Sequence, residues 1–312
     1  MWFLKLGELP PLFKLKRGEF MAFRRVDDSL FEVEEGRMLA SELYKQFNEF
    51  HSMNVEVIKE IELEFLRQKI KGLQRDFYQD IEKGLIIFRP SGASKCPREL
   101  YYQFIREQKD KVITHPFQKR WLRNSTAIHE AVQKDFLYME KVMENPKFVI
   151  AKTWEGLPAW EENIKTIKVF DYKGKKFAIS GMMDGILHYY PEDKKVGFEF
   201  KTKTNSIGQV GTYKLKEASD NHKNQCTAYS LMFDLDEFII MYEAVVKDYW
   251  SAGDNAKIDF RTFYYAPTEK DKEELLNKFA TVVEAVEKRK PPERDTSKCL
   301  FCEYKDICEV EL

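Results

Sequence analysis

The sequence predicts an α/β protein in which a mixed β-sheet is flanked by helices. Three observations carry this. Helical periodicity dominates residues 38–83 and returns at 221–234 and 268–289. Residues 147–203 are instead short β-rich runs punctuated by turn residues. Two more strand-like runs, 237–248 and 257–266, separate the last two helices, so strands and helices alternate.

Taken in order, apolar residues recur three or four apart at Leu39, Leu43, Phe47 and Phe50, then Ile58, Ile61 and Phe65, then Ile70, Leu73, Phe77 and Ile81. This predicts one or two long amphipathic helices, broken near "HSMNV" and stopped by Gly84. An isolated amphipathic helix is marginal in water. The stripe drifts out of a strict heptad near residues 51–57, which favours packing on the chain's own core over a long coiled coil. Residues 1–85 are therefore expected to form an N-terminal helical extension, and residues 86–312 the main domain. In "FRPSGASKCPRELYYQFI" the Ser, Gly and Pro mark a loop, and Pro97 suits the first turn of a helix. A further helix is predicted over Trp121–Met143. "KFVIAKTWE", "IKTIKVFDY", "KKFAISG", "DGILHYY" and "VGFEFKTK" read as strands, and "YYPEDKKV" as a hairpin connection. "KPPERDTSK" reads as a linker to the cysteine-rich end.

Of the 312 residues, 43% are hydrophobic and 33% charged, which predicts one large folded core or two modest ones. No run approaches the eighteen apolar residues of a membrane span. The first twenty residues are apolar in patches, but Lys5, Glu8, Lys14 and two prolines make them a poor secretion signal. A cytosolic location is expected, where clustered cysteines stay reduced and more often bind metal than form disulfides. The net charge of −1 neither favours nor excludes nucleic acid. Two stretches are locally basic: Lys194 to Lys223, and Lys109, Lys111, Lys119, Arg120 and Arg123. Either alone reads as a solvated face. No GxxxxGK[ST] occurs, so no Walker A loop is present.

Chemistry concentrates in two motifs. "GMMDG" places Asp184 beside a strand, and "FEFKTK" places Glu199 and Lys201 on one strand face, because residues two apart point the same way. Phe198 and Phe200 would then face a core. The fifteen residues from Asp184 to Glu199 fit two adjacent strands joined by the "YYPEDKK" turn. Two carboxylates with open water positions suit Mg²⁺ or Mn²⁺, and a nearby lysine can orient water and steady a phosphate. That is equipment for metal-assisted phosphodiester hydrolysis. Singly the signals are weak, since an ExK arises by chance and an Asp before Gly is an ordinary turn. Cys299, Cys302 and Cys308 form a C-x2-C-x5-C cluster with metal-ligand spacing, one thiolate short of a tetrahedral site. Four thiolates suit zinc or an iron–sulfur cluster equally.

Together these motifs resemble the PD-(D/E)XK nuclease superfamily in its RecB-like branch. That branch adds a histidine on a preceding helix, matched by His129 in "NSTAIHEAVQ". It also adds a Gln-x-x-x-Tyr motif on the helix after the ExK strand, matched by Gln225 and Tyr229 in "NQCTAYS". The chain departs from the pattern at Asn124-Ser125-Thr126, where the branch often has glycine. The resemblance covers roughly residues 88–312. It implies a metal-dependent DNA exonuclease with His129, Asp184 and Glu199 as Mg²⁺ or Mn²⁺ ligands and Lys201 as a catalytic residue. Gln225 and Tyr229 would line the site and contact a DNA strand.

A subset of the branch carries an iron–sulfur cluster on one upstream cysteine and a C-terminal C-x2-C-x5-C. It includes the iron–sulfur exonuclease of CRISPR adaptation, its phage-borne relatives and the nuclease domain of AddB. Cys96, followed by Pro97 and Arg98, matches the upstream position. The resemblance thus implies a 4Fe–4S cluster on Cys96, Cys299, Cys302 and Cys308, with Cys226 a small buried hydrophobe. It further implies single-stranded DNA ends as substrate, and a recombination, helicase or CRISPR-adaptation protein as partner. The competing reading is a non-catalytic DNA-binding or scaffolding subunit, since the superfamily includes inactivated members. Every catalytic position is filled here, which favours the enzyme. A zinc-stabilised interaction module would explain the cysteines and leave the nuclease motifs unexplained.

Overall fold

The computed structural model describes residues 28–74, 82, 84–111 and 115–310. The helices and strands run α1 (Asp28–Ser52), α2 (Lys59–Gln74), β1 (Ile87–Phe88), α3 (Pro97–Phe104), α4 (Pro116–Val142), β2 (Phe148–Ile150), α5 (Glu161–Ile164), β3 (Thr166–Tyr172), β4 (Lys175–Gly181), β5 (Gly185–Tyr189), β6 (Lys194–Lys203), α6 (Asp220–Phe233), β7 (Phe238–Ala244), β8 (Phe260–Tyr265), α7 (Glu269–Lys288) and α8 (Lys305–Val310). No helix among the described residues is long and apolar enough to cross a membrane.

The main sheet has the order β2-β5-β6-β7-β8; β6 and β7 are parallel and the other pairs antiparallel. The sheet is mixed and flanked by helices, as the sequence predicts. The β-rich segment does not stay in one sheet, however. β3 and β4 leave as a hairpin and pair with β1 in a second, three-stranded sheet. Lys173 and Gly174 connect them, both at positive φ (52° and 72°), which suits a tight two-residue turn between twisted strands. Helix α4 starts at Pro116, earlier than the sequence-based start at Trp121. Pro116 needs no amide partner at that position, and His115 and Gln118 form a reciprocal cap.

Two apolar layers enclose the main sheet. On one face Phe198 and Phe200 of β6 pack with Phe136 of α4 and with Leu43 and Phe47 of α1. On the other, Ile240 and Tyr242 of β7 pack with Cys226 and Tyr229 of α6 and Phe279 of α7. Leu39, Leu43, Phe47 and Phe50 are all buried, and each such side chain contributes about 1.5–3 kcal/mol by leaving water. Gly36 lets α1 approach β8, since a Cβ there would overlap the Tyr264 ring. Two polar contacts fix the register: the Gln46 amide pairs with both N–H and C=O of Phe148 (2.8 and 2.7 Å), and the Thr262 hydroxyl donates to Ala40 C=O (2.7 Å). The later stripe of α2 is different: Ile70 and Leu73 are exposed. Phe77 and Ile81 lie outside the described residues.

Candidate functional site

Strand pairing assembles the site. Gly185 of β5 is opposite Phe198 of β6, so Asp184, one residue earlier, stands across from Glu199. One Asp184 carboxylate oxygen accepts the N–H of Phe200 at 2.7 Å. The other lies 3.6 Å from Nδ1 of His129 on α4. The His129 ring stands edge-on to Phe200, centroids 4.8 Å apart. Lys201, two residues along β6, brings its ammonium against Glu199 Oε1.

Glu199 is 1% exposed; its Oε1 meets the Lys201 ammonium in a charge-assisted contact, and its buried Oε2 has no hydrogen-bond partner among the described residues. Burial, then the Asp184 charge, push its pKa up to about 7 against the pull of Lys201. Burial disfavours the charged form of His129, but the neighbouring Asp184 carboxylate outweighs it and raises the imidazole's pKa. Burial likewise opposes the Lys201 ammonium, and Glu199 and Asp184 overcome it. On α6, Gln225 Nε2 donates to the Tyr229 hydroxyl at 2.7 Å. Tyr229 is buried, and burial followed by the charges of Glu199 and Asp184 holds its pKa well above the ordinary phenol value. All six residues named from the sequence thus belong to one neighbourhood.

Two neighbours were missed by sequence reasoning. Gln133, one helical turn after His129, donates to the Asp184 C=O at 3.2 Å. Its i+4 spacing from His129 was a readable signal. Glu161 opens α5 in a left-handed conformation (φ 38°), rare for a residue with a side chain, and its N–H donates to Met183 C=O at 2.8 Å. Burial and then the Asp184 charge raise its pKa, against a hydrogen bond from Gln133. No sequence pattern flags it, because only the fold brings "WEEN" beside "GMMDG".

Among the described residues, no three His, Cys, Asp or Glu side chains are already closed to metal-binding geometry. Asp184 is held by Phe200 and His129, and Glu199 by Lys201. The donor set still fits a hard divalent cation, since Glu199 Oε2 is buried without a donor beside a second carboxylate and an imidazole.

The cysteines make a second cluster. All five are free thiols, and Cys96, Cys299, Cys302 and Cys308 line one small cavity, whereas Cys226 is wholly buried in the α6 core. The linker before Cys299 folds back onto α3: Arg98 Nε donates to Pro292 C=O at 2.7 Å, and the Asp295 N–H donates to Cys96 Sγ at 3.2 Å. Arg98, Arg294, Lys298 and Lys305 share the cavity lining with Glu99, Asp295 and Glu309. Burial raises the Cys302 thiol's pKa and depresses that of nearby Lys278 to about 8.

Among solved structures, the chain is similar to SSO0001 (15% identity over 82% of this chain and 98% of that one, TM-score 0.40). It is also similar to the alkaline exonuclease LHK-Exo of Laribacter hongkongensis (10% identity, 72% and 93% covered, TM-score 0.39). A third similar structure is a phage-related exonuclease of Haemophilus somnus 129PT (14% identity, 73% and 97% covered, TM-score 0.35). No curated protein sequence matches. The sequence model of one family does match, over residues 98–309, more than half of the chain. That span contains His129, Asp184, Glu199 and Lys201, and the chain belongs to the PD-(D/E)XK nuclease superfamily.

Proposed function

We propose that the chain is a divalent-metal-dependent deoxyribonuclease that works from DNA ends, with single-stranded ends as substrate. The observation that carries this reading is the buried Glu199 carboxylate, its Oε1 on Lys201 and its Oε2 unpartnered, with Asp184 and His129 beside it. Leaving the buried Oε2 unpartnered costs about 1–3 kcal/mol, which a bound cation would offset. Asp184, Glu199 and His129 would hold Mg²⁺ or Mn²⁺. When bound, the ion supplies Lewis-acid chemistry at the phosphodiester. Lys201 would turn its ammonium from Glu199 toward the attacked phosphate, orienting water and countering developing charge. Gln225 and Tyr229 would offer hydrogen bonds to the DNA strand. Phe198 and Phe200 exclude water from the sheet face behind the site.

The same reading gives the four-cysteine cavity a 4Fe–4S cluster, with a structural role. What supports it is the one cavity that the four cysteines share. A link from residue 96 to residue 299 would close a loop around the whole nuclease core, and long loops restrict the unfolded chain most. The reading places the protein in the cytoplasm with a recombination, helicase or CRISPR-adaptation assembly. The test is digestion of end-labelled single- and double-stranded DNA in Mn²⁺, Mg²⁺ or EDTA. Metal-dependent loss of single strands from their ends is expected; intact DNA under every metal would sink the proposal.

A further inference from the structure

The start of α4 stands clear of the sheet. Residues 115–124 read "HPFQKRWLRN", with three cations and no acid, and most of them are exposed. Phe117 and Trp121 are about half exposed, at 45% and 41%. Their rings nevertheless form a series: His115 lies parallel to Phe117 with centroids 5.7 Å apart, and Phe117 stands edge-on to Trp121 at 5.2 Å. Among the described residues no carboxylate pairs with Lys119, Arg120 or Arg123; Arg123 meets only the Asn124 amide oxygen, at 3.1 Å. Three lysines elsewhere in the basic stretches are instead neutralised. Lys194 is tied to Glu192 and Glu237, Lys223 to Glu217 and Asp220, and Lys109 to Glu303. Farther along the helix, Ser125 meets Thr202 of β6 at 2.7 Å and His129 reaches Asp184. One helix therefore runs from an aromatic, cationic end in solvent to the reacting carboxylates.

We propose that this end of α4 is a stacking rail for an unpaired DNA strand, with Phe117 and Trp121 taking bases and Lys119, Arg120 and Arg123 taking phosphates. The proposal rests on the nuclease reading and adds which strand form is gripped, and where. Rings of this kind stack on unpaired bases, which a duplex hides. A second copy of the chain would set this cationic face against itself, whereas a polyanion neutralises it. Trp121 and Phe117 precede His129 by eight and twelve residues, about 12 and 18 Å along the axis. A stacked strand advances about 3.4 Å per nucleotide and a stretched one more, so the rail meets bases roughly two to five nucleotides from the scissile phosphate.

The experiment uses the full chain in EDTA, so that binding is read without cleavage, with fluorescein-labelled oligothymidylate and a duplex of equal length as probes. Trp121→Ala and Phe117→Ala should each weaken single-strand binding by about five- to thirtyfold, with duplex binding changed less than about twofold and Trp121→Phe retaining most of the affinity. Arg120→Ala with Arg123→Ala should flatten the salt dependence of single-strand binding by about 1.4 in log–log slope. Iodouracil placed in the interior of the oligonucleotide should cross-link to Trp121. Unchanged single-strand affinity in both ring variants, or cross-links that avoid α4, would overturn the rail. So would a change in molar mass by light scattering with DNA binding intact, which would mark a surface for a second copy. Failure of the Mn²⁺ digestion would strike the nuclease reading instead, because the rail is read without metal.

Discussion

Asp184 accepts the backbone N–H of Phe200 at 2.7 Å, so the carboxylate just before β5 is anchored to the strand bearing Glu199 and Lys201. The anchor separates architecture from chemistry. Asp184→Asn keeps an oxygen for that N–H but loses the charge, and should fold normally while losing cleavage by about 10²–10³-fold or more. Glu199→Ala and Lys201→Ala should lose as much, and His129→Ala less. Circular dichroism alongside end-labelled digestion checks each variant. Wild-type cleavage by Glu199→Ala would remove the catalytic assignment.

The pKa of Glu199 gives a pH dependence of definite sign. Its folded value, about 7, lies above the ordinary 4.5. Between those values the folded state holds a proton that the unfolded state has lost, so this group's contribution to stability falls as pH rises from 4.5 to 7 and is flat beyond. In EDTA at pH 8, Glu199→Gln should melt higher than wild type, by roughly 1.5–3 °C for a gain of about 1–2 kcal/mol. The gap should shrink on acidification toward pH 5. Equal melting points across that range would show that Lys201 fully compensates the buried charge.

The left-handed Glu161, beside Asp184 and bonded to Gln133, should add negative potential where a cation would sit. Glu161→Gln keeps a partner for Gln133 and removes the charge. Mn²⁺ affinity, read by electron paramagnetic resonance in the absence of DNA, should drop by about tenfold. An unchanged affinity would leave Glu161 as a shaping residue for the turn before α5.

The cysteine cavity has a test of its own. Anaerobically purified protein should be brown, with about four iron atoms per chain. Cys96→Ala should lose the colour as completely as Cys299→Ala, while Cys226→Ala, buried in the α6 core, should keep it. Colourless protein with stoichiometric zinc after iron-replete expression would replace the cluster with a zinc site.

Much of this site was legible because its geometry is local. Glu199 and Lys201 share a strand face by the two-residue period, and a turn of readable composition brings Asp184 across from them. Gln225 and Tyr229 are one helical turn apart and hydrogen-bonded. The departure of β3 and β4 into a second sheet was not legible, since alternating apolar residues specify a strand but not the sheet that receives it. Nor was Glu161, whose place depends on a backbone contact with Met183 that no spacing rule encodes.

Strand β6 is third of five in its sheet, paired with β5 over Lys194–Phe198 and with β7 over Gly197–Lys203. Its amides should exchange with deuterium only through opening of the whole domain, while chain ends and exposed turns exchange through cheaper local openings. The Glu199 carboxylate is thus set on a central strand of the sheet. Any adjustment to a changing DNA end falls to its periphery: the exposed turns of α4 and the loops beyond the strands. Agents that loosen this protein gradually should therefore release the nucleic acid well before they disturb the chemistry.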